Sequence, residues 1–382
     1  MSLTRDLVLS RSPAAGFAVN GIYWGAFGAM APVLKAQTGL SDAGFGLALL
    51  VGAVGAVLAM WLAPLADRVL GRATLWVCSV LLVMSFLAPG LATGGIGFAV
   101  AMVATGATSG TLDVIMNARV SGIEARHKRP LMNLNHAVFS FAYAASALGA
   151  GVAREMGVGP LGYFTFLGLV ALGLSALMRE APLPPAEAGS EDGPMPPWSI
   201  IIPGGLIMMI AFMTEQATEG WSALHLERNL GAGAAQGALG PAILGLTMGI
   251  GRLSGQVLAQ RVSEGTVIRW ASTLAAVGAA LAALAPSLAL AYAGFAILGL
   301  GVSVVAPMGM AWIGRRVPDN VRVQAISRLS VVGYAGFFIG PPLMGFLAQG
   351  FGLPVSFGAI ALLLICVPVV LVPLLRRRFA TV

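Results

Sequence analysis

The sequence predicts an all-α integral membrane protein, with twelve transmembrane helices in two parallel six-helix repeats. Three observations carry this reading. Of 382 residues, 58% are hydrophobic and 10% charged, against about 45–50% and 25% in soluble domains. Apolar runs of about 20 residues, the length that crosses the hydrocarbon of a bilayer, recur along the whole chain. Landmarks of the first half return in the second at one offset, 193 residues (Leu65 to Leu258). The 51 glycines, about twice the usual share of ~7%, suit helices that pack closely inside a membrane.

Taken in order, the first six spans fall near 13–34, 43–65, 73–91, 96–118, 132–153 and 161–178. The second six fall near 199–220, 236–258, 266–285, 289–312, 325–348 and 355–375. Pro, Gly or charged residues end each run. The first run is longer than a signal-peptide core and is expected to stay as a span. Between the sets, Arg179 to Trp198 is rich in Pro, Glu and Ser and cannot form an apolar span, so it reads as a linker. The expected organisation is a bundle at 1–178, a cytoplasmic linker at 179–198 and a second bundle at 199–382. Cys78 and Cys366 lie in apolar runs and read as small buried hydrophobes, with no disulfide or metal framework.

The net charge of +7 comes from loops. With the N-terminus inside, 18 of the 22 Lys and Arg fall in cytoplasmic segments; Lys35, Arg154 and Arg228 fall outside and Arg252 within a span. By the positive-inside rule both termini are cytoplasmic, and the basic balance points to a lipid bilayer and not to nucleic acid.

At the 193-residue offset Leu65-Ala66-Asp67-Arg68-Val69 falls on Leu258-Ala259-Gln260-Arg261-Val262, Gly106 on Gly299, and Arg129 on Arg322. Six spans separate equivalent positions, so the repeat is parallel, an arrangement that transporters use with a central site between the halves. Twelve spans, a central linker and the Asp67-Arg68 loop with Arg72 resemble the major facilitator superfamily over essentially the whole chain. The loop carries Ala63 where that family has a leading Gly, and one extra residue between Arg68 and Arg72. Gly110-Thr111-Leu112-Asp113 with Asn117, Glu215 to Gly220-Trp221-Ser222, Met248-Gly249-Ile250-Gly251-Arg252, and Gly340-Pro341-Pro342 look like a bacterial branch related to fucose-permease-type sugar permeases. The resemblance implies a multi-pass transporter of the bacterial inner membrane, a monomer, and no cofactor.

Ionisable groups within spans cost at least ~2.5 kcal/mol each on insertion scales, so each is a functional candidate. Asp113 sits past the middle of span four, with Asn117 at i+4 on the same face. Resemblance to the fucose-permease type places the coupling proton on Asp113. Glu215 on span seven is a second proton-coupling candidate. Gln216 adds an amide there, and Glu219 lies near the interface beside Trp221, which reads as an interface aromatic as readily as a functional one. Asn20, Tyr23 and Trp24 lie on span one, a cavity-lining span in the resembled family; with Asn117, Gln216 and Glu219 they are the candidate substrate contacts.

Arg252 on span eight matches the depth of Asp113. An unpaired guanidinium there would be costly, so it is expected either to meet Asp113 across the halves as an inner gate, or to pair within its own half. His136 near the inner end of span five, close to Asn133 and Asn135, reads as an interface or gate residue, and Asp67, Arg68 and Arg72 as gate or ion-pair residues. At the repeat offset Asp113 falls on Ala306, Glu215 on Ile22 and Arg252 on Ala59. Charges that the duplication does not share are not needed by a shared fold, which favours a functional role.

The expected function is therefore a secondary transporter of a small polar solute, such as a sugar, coupled to protons. The alternatives are a proton-driven exporter of amphipathic compounds and, in another class, a non-transporting sensor or a membrane enzyme. No metal cluster, phosphate loop or nucleophile motif appears in the sequence, so catalysis is not expected.

Overall fold

The computed structural model describes residues 3–178, 197–258, 261–317 and 321–380. Secondary structure among the described residues is helical throughout. A short α1 (Leu3–Leu9) precedes α2 (Arg11–Thr38), α3 (Asp42–Leu70), α4 (Thr74–Leu91), α5 (Gly95–His127), α6 (Met132–Glu155) and α7 (Pro160–Ser175). Then follow α8 (Trp198–Leu230), α9 (Ala234–Leu258), α10 (Glu264–Leu284), α11 (Leu288–Val302), α12 (Val305–Gly314), α13 (Arg322–Phe351), α14 (Leu353–Cys366) and α15 (Val372–Ala380).

Among the described residues, eleven helical segments are long and apolar enough to cross a membrane. The sixth expected span is the shorter α7, with 16 residues. Large apolar side chains such as Trp61, Ile96, Leu284 and Leu362 are exposed, as suits a surface that faces lipid. Cys78 is buried as expected, but Cys366 is exposed on that same apolar surface. Most of the 179–198 linker, together with Ala259 and Gln260 of the repeat, lies outside the described residues.

Local chemistry accounts for the breaks. Gly39 and Gly231 adopt left-handed φ values of 65° and 67° that close α2 and α8, a conformation that costs glycine little. Ser41 caps α3 by accepting from Gly44 N–H at 3.1 Å. The tenth span divides into α11 and α12 where Pro307 lacks the N–H that would continue the ladder. The last span carries a π-helical turn, Val367–Leu371, around Pro368 for the same reason.

In the first set α2 packs on α6, α3 on α5 and α4 on α7; in the second, α8 packs on α13, α9 on α11 and α10 on α14. The same pairing thus recurs six spans later. The α3–α5 crossing is tight: a Cβ on Gly106 would collide with the Gly52 carbonyl, and one on Gly55 with that of Val103. The two sets meet along α6–α9 and α3–α13.

At the end away from the termini, four contacts tie the sets together. Arg154 forms a two-pronged pair with Glu227 at 2.7 and 2.9 Å, and Arg228 another with Asp42 at 2.7 and 2.8 Å. Lys35 reinforces Asp42 at 3.1 Å. Ala235 N–H donates to Glu155, and Ala43 N–H to Gln349. At the end bearing the termini, the pairs Asp67–Arg119, Asp6–Arg129 (2.8 Å) and Glu264–Arg315 (2.8 Å) each stay within one set. There Glu124, near the end of α5, also accepts from Leu131 N–H at 2.5 Å and Met132 N–H at 2.7 Å, capping α6.

Candidate functional site

The candidate site lies between α2, α5, α6, α8 and α9, deep in the bundle. Trp24, Asp113, Asn117, His136, Glu215, Gln216, Glu219 and Arg252 are all half-buried there and keep accessible surface. Their polar ends are therefore not sealed within the protein interior.

On the α2 wall, Trp24 Nε1 donates to Ser109 Oγ at 2.8 Å, and Ser109 Oγ donates to Asn20 Oδ1 at 2.9 Å. Asn20 and Trp24 share a face, as their i, i+4 spacing requires. Ser109, from α5, joins them. The Trp24 ring meets Phe27 and Phe86 edge-on at 5.4 Å, which fixes its plane. Tyr23 points elsewhere: it is fully buried, and its hydroxyl donates to the Phe164 carbonyl at 3.1 Å, tying α2 to α7.

On α5, Asn117 Nδ2 donates to Asp113 Oδ1 at 3.1 Å and to the Asp113 carbonyl at 2.8 Å. Asn117 Oδ1 faces His136 Nε2 at 3.1 Å, and Phe17 lies edge-on to the histidine ring. Asp113, Asn117 and His136 therefore form one polar row linking α5 to α6.

Arg252 from α9 joins both sets. Its Nη2 donates to Glu215 Oε1 at 3.0 Å, within the second set. Its Nη1 donates to Ser140 Oγ at 2.5 Å and to the His136 carbonyl at 3.3 Å, both on α6 of the first set. Of the two partners open to Arg252 in the sequence, the carboxylate in its own half is the one observed. Asp113 hydrogen-bonds Asn117 instead. Glu215 and Arg252 are 17% and 13% exposed, so the pair is shielded enough that removing one partner would leave a costly charge.

Glu219 Oε2 accepts from Gln216 Nε2 at 3.2 Å. Glu219 lies about three turns before the end of α8 at Leu230. Trp221 is fully buried, edge-on to Phe45 with ring centroids 5.7 Å apart. Tyr143 on α6 has a buried hydroxyl without a hydrogen-bond partner among the described residues. A Cβ at Gly28 would lie 2.6 Å from that hydroxyl and 2.8 Å from the Glu219 carbonyl, so Tyr143 borders the same space.

Asp67 lies apart from this chamber, paired with both Nη atoms of Arg119 on α5; the Nη1 contact is 3.1 Å. Arg68 and Arg72 are exposed around the turn that follows α3. Among the described residues, no group of three His, Cys, Asp or Glu could hold a metal ion.

The Major Facilitator Superfamily model matches residues 14–271 and, in an overlapping second match, 204–381. The chain belongs to the major facilitator superfamily. An uncharacterized MFS-type transporter of Yersinia pestis is 30% identical over 370 residues, covering 93% of each chain. Membrane protein MosC of Rhizobium meliloti is 28% identical over 349 residues, covering 88% of this chain and 83% of that one.

Solved major facilitator structures share the fold. A bacterial homolog of the human lysosomal transporter Spinster, in an inward-facing and occupied conformation, matches with TM-score 0.74 at 18% identity, covering 100% of this chain and 98% of that one. A D-xylose–proton symporter matches at 0.72 and 14% identity over 97% of each chain. The nucleoside transporter NupG matches at 0.70 and 12% identity over 99% of each chain. This major facilitator protein is thus a multi-pass membrane protein of a transporter family.

Proposed function

We propose that the protein is a proton-coupled secondary transporter of a small polar solute, of the sugar or nucleoside kind, working by alternating access. The two moving bodies are 1–178 and 199–382, joined by 179–198, with both termini cytoplasmic. The observation that carries this reading is Arg252, which binds Glu215 in one body and Ser140 and the His136 carbonyl in the other, at the wall of a polar chamber. The recurrence of the helix pairing six spans later supports the two-body division. The chemistry named for the xylose symporter and NupG supports the choice of solute class. So does a chamber that offers amides, hydroxyls and an indole, which suit hydroxyl-rich rings.

In this reading Asp113 and Glu215 exchange the coupling protons. Protonating Glu215 removes the charge that holds Arg252 in its own body, which loosens the link to α6. Protonating Asp113 turns an acceptor into a donor opposite Asn117 and the solute. A local change of charge thereby biases movement of the whole bundle.

The test has two stages. Thermal melting of the purified protein is screened against pentoses, hexoses, nucleosides, sugar acids and amines, since a ligand bound to the folded state raises the midpoint. The best ligand is then followed into proteoliposomes with and without an imposed pH gradient. Gradient-driven accumulation of a sugar or nucleoside is expected. Uptake indifferent to the gradient would remove the proton coupling. Stabilisation by hydrophobic amines alone would favour export of amphipathic compounds.

A further inference from the structure

Away from the central chamber, at the end bearing the termini, a cavity of about 220 Å³ opens between the start of α10, the end of α12 and α15. Its walls are Ser263, Gly265, Trp312, Arg316, Arg376 and Phe379. The floor is rigid. Trp312 is 3% exposed, and a Cβ on Gly265 would lie 2.7 Å from its ring, so the indole sits flush on the first turn of α10.

The two arginines are held in place. Arg316 donates through Nη1 to the Trp312 carbonyl at 2.9 Å, and its guanidinium carbon lies 4.8 Å from the Phe379 ring centroid and 5.8 Å from that of Trp312. Stacking against ring faces orients a guanidinium while keeping its edge donors usable. Both polar contacts of Arg316 run through Nη1, leaving Nη2 and Nε without a described partner. Arg376 is anchored by Nη2, which donates to Thr266 Oγ1 at 3.3 Å. The nearby carboxylate, Glu264, is buried and already paired with Arg315 at 2.8 Å, while its other oxygen lies 3.9 Å from Arg316. Among the described residues, three arginines face one carboxylate in this corner, which makes it positive.

The surroundings show what kind of anion fits. Trp270 on α10 and Val369, Val370 and Leu374 on the last span are exposed apolar side chains near the cavity in sequence. Apolar surface beside basic and aromatic residues at a helix end is the pattern of a bilayer boundary. A free inorganic anion would use the arginines but not the apolar surface.

We propose that this cavity binds the phosphate headgroup of an anionic phospholipid. Arg316 and Arg376 hold the phosphate oxygens, and the acyl chains lie along the neighbouring apolar surface. The site is independent of the transported solute.

The test uses the full-length protein in detergent micelles, melted with added phosphatidylglycerol, phosphatidylcholine or inorganic phosphate. Phosphatidylglycerol is expected to raise the melting midpoint by several degrees more than phosphatidylcholine. Arg316→Gln with Arg376→Gln should abolish that excess. Arg377→Gln with Arg378→Gln, removing equal charge outside the cavity, should retain it. Equal stabilisation by the two lipids, equal loss in the control pair, or full reproduction by inorganic phosphate would each overturn the proposal. If the double variant does not fold, Arg376→Gln alone is read. Halving of the excess or more is expected, and an unchanged excess overturns the proposal.

Discussion

Arg252 and Glu215 are paired at 3.0 Å within the second helix set, while the same guanidinium reaches Ser140 of the first set at 2.5 Å. One side chain is therefore both a neutralised charge and a tie between the two helix sets. Separating α6 from α9 at this level leaves the ion pair intact but removes its Ser140 and His136 partners.

Breaking that pair from either side should be severe, and breaking it from both sides mild. Arg252→Ala leaves the Glu215 carboxylate buried without its cation and is expected to destabilise the protein by about 3 kcal/mol. Adding Glu215→Gln should restore most of this. Arg252→Ala with Asp113→Asn should show a smaller coupling, because the two are joined only through Asn117 and His136 and not by an ion pair. Thermal melting of the single and double variants checks both statements through their coupling energies.

Asp113→Asn preserves the size and the hydrogen-bonding reach toward Asn117 but cannot ionise. Accumulation driven by a pH gradient is expected to vanish, while exchange of labelled for unlabelled solute continues. Wild-type accumulation by this variant would take the coupling proton away from Asp113.

The clamp at the end away from the termini is built around Asp42, which neutralises Lys35 in its own set and Arg228 in the other. Asp42→Asn should open that end. Spin labels at Ala36 and Gly350 are exposed and lie in different sets, and they should show a longer-distance population in the variant. High salt should mimic the effect only weakly, since Asp42 itself is shielded although Arg228 is 41% exposed.

The expected orientation can be checked at the linker. Ser190→Cys should resist an impermeant thiol reagent applied to intact cells and react after the inner membrane is opened. Reaction in intact cells would invert the topology.

The spans were legible because a 20-residue apolar run has few other physical meanings. The shared face of Asp113 and Asn117 followed from helical spacing alone. The partner of Arg252 did not, because depth along a helix says nothing of rotation about its axis, and rotation decides between Asp113 and Glu215. Ser109, Ser140 and Tyr143 escaped notice for a related reason. Serine and tyrosine are ordinary in packed membrane helices, and only a neighbour from another helix gives them a role. The full burial of Trp221 was not legible because Ser222, His225, Glu227 and Arg228 lower the hydropathy after Gly220, although the backbone stays helical to the Gly231 cap. Inside a bundle, a polar stretch can be sheltered by protein, and hydropathy cannot register that.

The carboxylate of Glu124, which accepts two amides from the start of α6, has a mechanical consequence. The connection between α5 and α6 is a braced elbow and not a slack hinge, further held by the Lys128 amide on the Glu124 carbonyl. With the turn braced in this way, a shift of α6 at Ser140 is expected to carry α5, and so Asp113, with it. Asp113, the proposed proton site, and Ser140, which receives Arg252, thus sit on two helices joined by one braced turn, and loosening that elbow is expected to uncouple them without altering either.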